Sequence, residues 1–161
     1  MSDTGDSQSS NEWALQTFNF KMECDALSEA VGFTKISGLE ASRETVEMRT
    51  GDDPTGTTQV MPGRPKGATI TCERPFRPDK KELLEWWNGA KANTIARQMI
   101  TISMLDEAGN PVDIGVFRLA EAFPTSWKPS DLDAMGSGAA METLTIQCQQ
   151  VLLPGDTSGG E

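Results

Sequence analysis

Alternation of apolar and polar residues is the sequence feature that most constrains the fold of this chain. Within residues 17–24, the apolar side chains of Phe18, Phe20, Met22 and Cys24 are separated by polar ones. A strand with one buried face has this pattern, because successive side chains point to opposite faces. The same pattern, with Thr, Val and Ile enrichment, predicts further strands at 31–36, 43–49, 68–73, 95–105, 112–123 and 142–152. The chain is therefore predicted to be mainly β.

One segment, PDKKELLEWWNGAK, has helical rather than strand periodicity. Asp79 and Glu82 stand three residues apart at its start and match an N-terminal capping box. Four apolar residues then share one face at helical spacing: Leu83, Trp86, Trp87 and Ala90. We predict one helix at about 79–91, whose apolar face packs on the core or forms a subunit interface. The predicted fold is an antiparallel β-barrel or sandwich of about seven strands, with this helix covering one opening or edge.

The segment RTGDDPTGTTQVMPGRPK, from Arg49 to Lys66, is predicted to be a long loop between two strands. It contains three glycines and three prolines and has no apolar periodicity. Connections in compact domains are typically about 4–6 residues long. A loop of this length therefore indicates a binding role.

Length and composition predict one domain with two tails. The 161 residues suit a single core. Segments 1–16 and 154–161 are rich in Ser, Gly, Asp and Thr, so we expect flexible tails around a folded domain at 17–153. The N-terminal segment lacks the basic start and apolar run of a signal peptide, which favours synthesis and assembly in the cytoplasm.

The net charge restricts the classes of partner, and the cysteine content indicates the state of the thiols. The net charge of −10 opposes binding to nucleic acid and to anionic membranes. Cys24, Cys72 and Cys148 are odd in number and far apart, which favours buried thiols over a disulfide framework.

The sequence offers little for catalysis, cofactors or metals. Without histidine the chain has no imidazole base and no histidine metal ligand, and it lacks the Walker and G-x-G-x-x-G patterns. Four residues match positions 1, 3, 6 and 12 of a calcium-binding loop: Asp131, Asp133, Gly136 and Glu142. Met135 at position 5 supplies no side-chain oxygen, so a polar loop is the favoured interpretation. The sequence predicts a protein that is not an enzyme and holds no cofactor or metal.

Short motifs follow one another through most of the chain. They are GF (32–33), SGL (37–39), E-x-R-x-G (47–51), MPG (61–63), WW (86–87), LDEAGNPV (105–112), Phe117 with A-x-P-x-x-W (122–127), and Glu142. Together, in this order and spacing, they resemble the tail tube protein family of T4-like phages and contractile injection systems. The segments ERPF (73–76) and CQQVLL (148–153) depart from the family pattern.

The resemblance implies a structural subunit that forms hexameric rings, which stack into a hollow tube inside a contractile sheath. The implied partners are further copies of the chain, the sheath protein, a baseplate or spike hub at one end, a terminator or cap at the other, and cargo in the lumen. The implied location is a phage tail or phage-tail-like particle, and its release by lysis stays open.

The resemblance also gives the long loop a partner, the neighbouring ring. The residues assigned to this ring-stacking loop are Arg49, Gly51, Asp52, Asp53, Met61, Pro62, Gly63, Arg64 and Lys66. Because six acidic subunits repel one another, assembly must place complementary residues at the contacts or disperse the acidic ones to the lumen and outer wall. The candidates for the complementary residues are Arg43, Arg49, Arg64, Lys66 and Arg74.

Three alternatives remain open at this point. The first is the related ring-forming tube protein of type VI secretion, and the second is a baseplate-proximal paralogue that starts the tube. The third belongs to another class, a monomeric ligand-binding β-domain that uses Trp86 or Trp127 as a stacking platform.

Overall fold

A computed structural model describes residues 19–27, 31–52, 54–90 and 97–156. This part of the chain contains nine strands and one helix: β1 Phe20–Cys24, β2 Lys35–Ser37, β3 Ser42–Met48, β4 Gln59–Lys66, β5 Ala68–Pro75, α1 Glu82–Gly89, β6 Gln98–Leu105, β7 Pro111–Pro129, β8 Met141–Cys148 and β9 Gln150–Leu152. All the strand pairs are antiparallel. The prediction of a mainly β fold with one helix is confirmed. The predicted tails lie largely outside the described residues.

Strand β7 joins the two halves of a seven-stranded sheet ordered β1-β6-β7-β8-β5-β2, with β9 also paired to β7. Its first part pairs with β6, as in Ile100 opposite Leu119, and its last part pairs with β8, as in Phe123 opposite Gln147. Near the end of the first part, Glu121 has φ 54°, a left-handed conformation that is uncommon outside glycine. The strand changes partners directly after this position, between Ala122 and Phe123, and the two halves enclose the core.

The core follows the alternation read from the sequence. Every second residue of β5 and β8 is buried, including Ile70, Cys72, Leu144 and Ile146. Burial of one such large aliphatic side chain contributes about 1.5–3 kcal/mol. No helix among the described residues is long and apolar enough to span a membrane.

Strands β2 to β5 form the two sides of one long hairpin. Ser37 on β2 pairs with Thr71 on β5, and five residues further along both sides Ser42 on β3 pairs with Lys66 on β4. The register is therefore continuous, although only β5 is held by a third strand, β8. Beyond Gly67 the hairpin extends as a two-stranded ribbon of β3, β4 and the connecting residues 49–58, here called the ribbon.

The prediction of one loop from Arg49 to Lys66 was wrong over Gln59–Lys66, which forms β4. Pro62 and Pro65 conceal this strand in the sequence, because proline lacks an N–H and is usually confined to edge strands. In the ribbon each strand has one partner and one open edge, so prolines are tolerated. Met61, Pro62, Gly63, Arg64 and Lys66 are strand residues, and the connecting loop is confined to 49–58.

The predicted capping box was also wrong. Helix α1 begins at Glu82, its N-cap residue is Lys81, and no side chain donates or accepts a capping hydrogen bond. The carboxylate of Glu82 instead lies beside Arg74, with Oε2 3.9 Å from Nη1. The predicted helix end at 91 lies outside the described residues.

Several predicted strands have different limits in the structure. The 31–36 strand shrinks to Lys35–Ser37, and Val31 makes only an isolated bridge to Met22. The 112–123 strand continues to Pro129 as β7. A bend at Gln149 divides the 142–152 strand into β8 and β9, which have different partners.

Substitution of Gly38 with alanine is expected to destabilise the fold by about 1–3 kcal/mol or more, the usual cost of a strained backbone position. Gly38 has φ 87°, and an added Cβ would lie 2.2 Å from the Thr69 carbonyl oxygen. Gly32→Ala is the matched control, because no atom lies within 4 Å of its Cβ position. Chemical denaturation measures both changes, and equal midpoints for the two variants would contradict the expectation.

Candidate functional site

The ribbon exposes large apolar side chains that the rest of the described chain does not cover. Val46 pairs with Met61, and two residues further on Met48 pairs with Gln59, so these four share one face. Val60 lies on the other face and is 61% exposed, while Val46, Met48 and Met61 are each about half exposed. Contiguous apolar surface of this kind marks an interaction site.

The ribbon also carries cations without described partners. Arg43, Arg49, Arg64 and Lys66 are all exposed, and no ion pair joins them to another residue of the described ranges. The Arg49 guanidinium lies over the turn, with Nη2 3.4 Å from the Cβ position of Gly56. The structure therefore brings most of the predicted loop residues onto one projecting ribbon. Gly51 and Asp52 lie in its connecting turn, and Asp53 lies outside the described residues.

Arg74 does not belong to this exposed set, which corrects the expectation that it contacts another subunit. It is 6% exposed, its Nε donates to Glu142 Oε1, and its Nη2 donates to the Lys80 carbonyl at 3.2 Å. Glu142, 3% exposed, also accepts a 3.0 Å hydrogen bond from Trp127 Nε1. This buried cluster of Arg74, Glu142 and Trp127 ties β5, β7 and β8 to the start of the helix.

The cluster also bears on two other sequence features, the calcium-loop match that ends at Glu142 and the stacking role considered for Trp127. Both carboxylate oxygens of Glu142, the last residue of the calcium-loop match, accept hydrogen bonds inside the cluster. The Trp127 ring lies against Phe76, with centroids 6.4 Å apart, and is only partly exposed. No group of three or more acidic, cysteine or histidine residues within the described ranges is arranged to hold a metal ion.

The helix residues that the sequence singled out divide into two pairs. Leu83 and Trp86 are buried in the core, so Trp86 is not an open stacking platform. Trp87 and Ala90 are half-buried at the helix surface. The apolar face therefore closes one end of the sheet, and a partner could contact only its margin.

The three cysteines are buried and unpaired, as the sequence predicted. Burial raises the pKa of Cys72 to about 12 and also raises the pKa values of Cys24 and Cys148. The thiols therefore stay protonated near neutral pH, and the reactive thiolate form is suppressed.

The outward face of the β2-β5-β8-β7 half-sheet is polar and rich in hydroxyl groups. One row across the four strands contains Ser37, Thr71, Thr145 and Ser126. The next row contains Lys35, Glu73, Thr143 and Lys128. Nearby, Thr69 Oγ1 donates to Gln147 Oε1 at 2.9 Å. This face suits contact with water rather than a packed interface.

Sequence reasoning missed two of these features. The Arg74–Glu142 pair joins residues 68 positions apart, and no local pattern reveals the register that brings them together. The exposed apolar residues of the ribbon have a signal in the alternation of Val46 and Met48, but the flanking proline leads sequence reasoning to place Val60 and Met61 in a loop.

One known protein family has a model that matches most of this chain. Residues 16–152 match the family model described as T4-like virus tail tube protein gp19. No curated protein is significantly similar to the chain.

Solved structures give close matches over nearly the whole chain. A chain of an extracellular contractile injection system, the PVC sheath-tube complex in the extended state, is 30% identical, with TM-score 0.78, 92% of this chain and 97% of that chain covered. A chain of the anti-feeding prophage cap, described as the AFP tube terminating cap, is also 30% identical, with TM-score 0.77 and coverage of 94% and 97%. Hcp1 from Flavobacterium johnsoniae is 18% identical, with TM-score 0.53 and coverage of 86% and 97%, a likeness of fold alone.

Proposed function

Because this chain belongs to the T4-like virus tail tube protein family, we propose that it forms hexameric rings that stack into the inner tube of a contractile tail or injection system. The family match and the 30% identical injection-system chains confirm the resemblance read from the motif order and support a tube-subunit role. The finer proposal concerns how the subunits join and what the tube does.

The projecting ribbon is the observation that carries this proposal. It exposes apolar side chains and cations that have no partner within the described subunit. A second copy in the neighbouring ring would cover the apolar face and neutralise part of the acidic charge of the assembly. The ring-stacking role of Arg49, Gly51, Asp52, Asp53, Met61, Pro62, Gly63, Arg64 and Lys66 remains part of this proposal.

Closure of each ring would use the free sheet edges. Strands β1 and β2 are the outer strands of the seven-stranded sheet. Unpaired strand edges readily pair with another chain, and closure into a ring removes them. The half-buried Trp87 and Ala90 at the helix surface would contribute to subunit contacts.

The polar half-sheet face is the proposed wall of the lumen. Its hydroxyl groups can exchange hydrogen bonds with water, and its apolar content is low, so passing cargo would find little surface to adhere to. The protein would thus work by geometry and interfaces rather than by catalysis, with no cofactor. Its proposed further partners are a sheath around the tube, a baseplate or spike hub at one end, and a terminator or cap at the other.

The proposed domain is 17–153, flanked by tails at 1–16 and 154–161. The proposed place of assembly is the cytoplasm. The proposed location is a phage-tail-like particle, as in the injection-system relatives.

Native mass spectrometry of the purified chain tests ring formation. The expected species has six times the 17.4 kDa subunit mass. A monomer at every concentration would contradict the proposal and favour a ligand-binding β-domain. Hexamers that never associate further would favour the baseplate-proximal paralogue.

A further inference from the structure

The loop between β7 and β8, residues 130–140, exposes two large apolar side chains almost completely. Leu132 is 88% and Met135 94% exposed, the two highest values among the large apolar residues of the described ranges. The Asp133 side chain accepts a 2.9 Å hydrogen bond from the Met135 N–H, and the Asp133 carbonyl accepts one from the Gly136 N–H at 3.2 Å. The turn is thus internally bonded, and it presents Leu132 and Met135 outward.

This loop and the ribbon lie at opposite ends of the same strands. The ribbon joins β5 at Ala68, which pairs with Cys148, whereas Pro75 at the other end of β5 pairs with Met141, directly after the loop. The loop is closed there by hydrogen bonds from the Phe76 N–H to the Ala140 carbonyl and from the Ser130 N–H to the Met141 carbonyl. The length of β5 separates the two ends by roughly 23 Å, at about 3.3 Å per residue.

The two ends also complement each other chemically. The ribbon exposes Val46, Met48 and Met61, and Arg49 follows Met48 directly in the chain. The loop exposes Leu132 and Met135, and two acidic residues, Asp131 and Asp133, flank Leu132 in the chain. A stack of rings needs this arrangement, because a head-to-tail contact joins two different surfaces of the same chain.

We propose that the β7–β8 loop is the receiving surface for the ribbon of a second copy in the adjacent ring. Leu132 and Met135 pack on the Val46, Met48 and Met61 face, and the loop carboxylates face Arg49. This inference rests on the proposed tube function and identifies the second surface of the stacking contact. The basic residues Arg77, Lys80 and Lys81 lie at the same end of β5, so the apolar pair rather than net charge defines the contact.

Complementation between two variants tests the proposal. Leu132→Ser with Met135→Ser disables the loop but keeps the ribbon, and Val46→Ser, Met48→Ser and Met61→Ser disable the ribbon but keep the loop. Each variant alone is expected to stop at single rings. An equimolar mixture of preformed rings is expected to give two-ring stacks and nothing longer. Of the four possible ribbon-to-loop contacts, only the one between the ribbon of the loop variant and the loop of the ribbon variant keeps both surfaces.

Ile114→Ser is the matched control, since Ile114 is an exposed apolar residue of β7 that belongs to neither the ribbon nor the loop, and it is expected to leave tubes unchanged. Normal tubes from the loop variant would overturn the proposal. If the wild-type chain itself forms no tubes, the proposed function fails as well, and the wild-type arm distinguishes the two failures.

Disulfide cross-linking keeps the test decisive if the serine variants fold poorly. In a chain with Met61→Cys and Met135→Cys, the two thiols are too far apart for an intrachain bond, which needs Cα atoms within about 7 Å. Oxidised tubes are expected to give a ladder of covalent multimers on a denaturing gel, and Met135→Cys alone gives none. Tubes of the double variant that yield no multimers would overturn the contact.

Discussion

Replacement of Arg74 with alanine is expected to lower the free energy of unfolding by about 3–5 kcal/mol, the usual cost of breaking a buried ion pair. The substitution leaves the Glu142 carboxylate buried with only the Trp127 N–H as a donor, and it removes the hydrogen bond to the Lys80 carbonyl. Urea denaturation followed by tryptophan fluorescence measures the change, and Trp127 reports on the cluster itself.

Lys21→Ala is the matched control, because Lys21 also pairs with a glutamate, at 2.7 Å, but at the protein surface. Surface ion pairs contribute only about 0–1 kcal/mol, so this variant is expected to stay close to wild type. If Arg74→Ala were no more destabilising than Lys21→Ala, the buried cluster would have no special role in joining the helix to the sheet.

Deletion of residues 52–57 is expected to abolish tubes while the subunit stays folded. The deletion leaves Arg49, Thr50, Gly51 and Thr58 to connect Met48 with Gln59, and a four-residue connection is common in hairpins. The ribbon loses the reach of its turn, and the paired strands keep their register. Sedimentation of assembled material measures tube formation, and the thermal midpoint measures the fold.

A charge reversal on the full-length ribbon tests the contribution of its cations separately from the contribution of its length. Arg49→Glu with Arg64→Glu keeps the length of the ribbon but removes the cations proposed to face the next ring, so tube yield is expected to fall. Arg118→Glu is the control, because Arg118 is an exposed cation on β7 and not part of the ribbon. Normal long tubes from the deletion variant would show that stacking does not use the turn.

The strands that pair within the core were predictable, because their local pattern and their environment agree. In β5 and β8 every second side chain is buried, and the sequence alternates accordingly. The buried, unpaired state of the three cysteines was likewise predictable from their number and spacing. In both cases local chemistry and tertiary structure favour the same outcome.

The ribbon and the buried cluster were harder to predict, for different reasons. The strand β4 carries Pro62 and Pro65, whose local preference opposes a strand, and only its position at an open edge makes it acceptable. The environment of Arg74 depends on the β5-β8 register, which is set by the whole core. Sequence reasoning therefore places Arg74 at an exposed subunit contact, although its side chain is buried.

The most direct test of the tube function is negative-stain electron microscopy of the purified wild-type chain over a range of concentrations and ionic strengths. The expected images show six-fold rings and hollow tubes built from them, with tube length that changes with salt because cations contribute to the contacts. The absence of rings and tubes in every condition would contradict the proposed function.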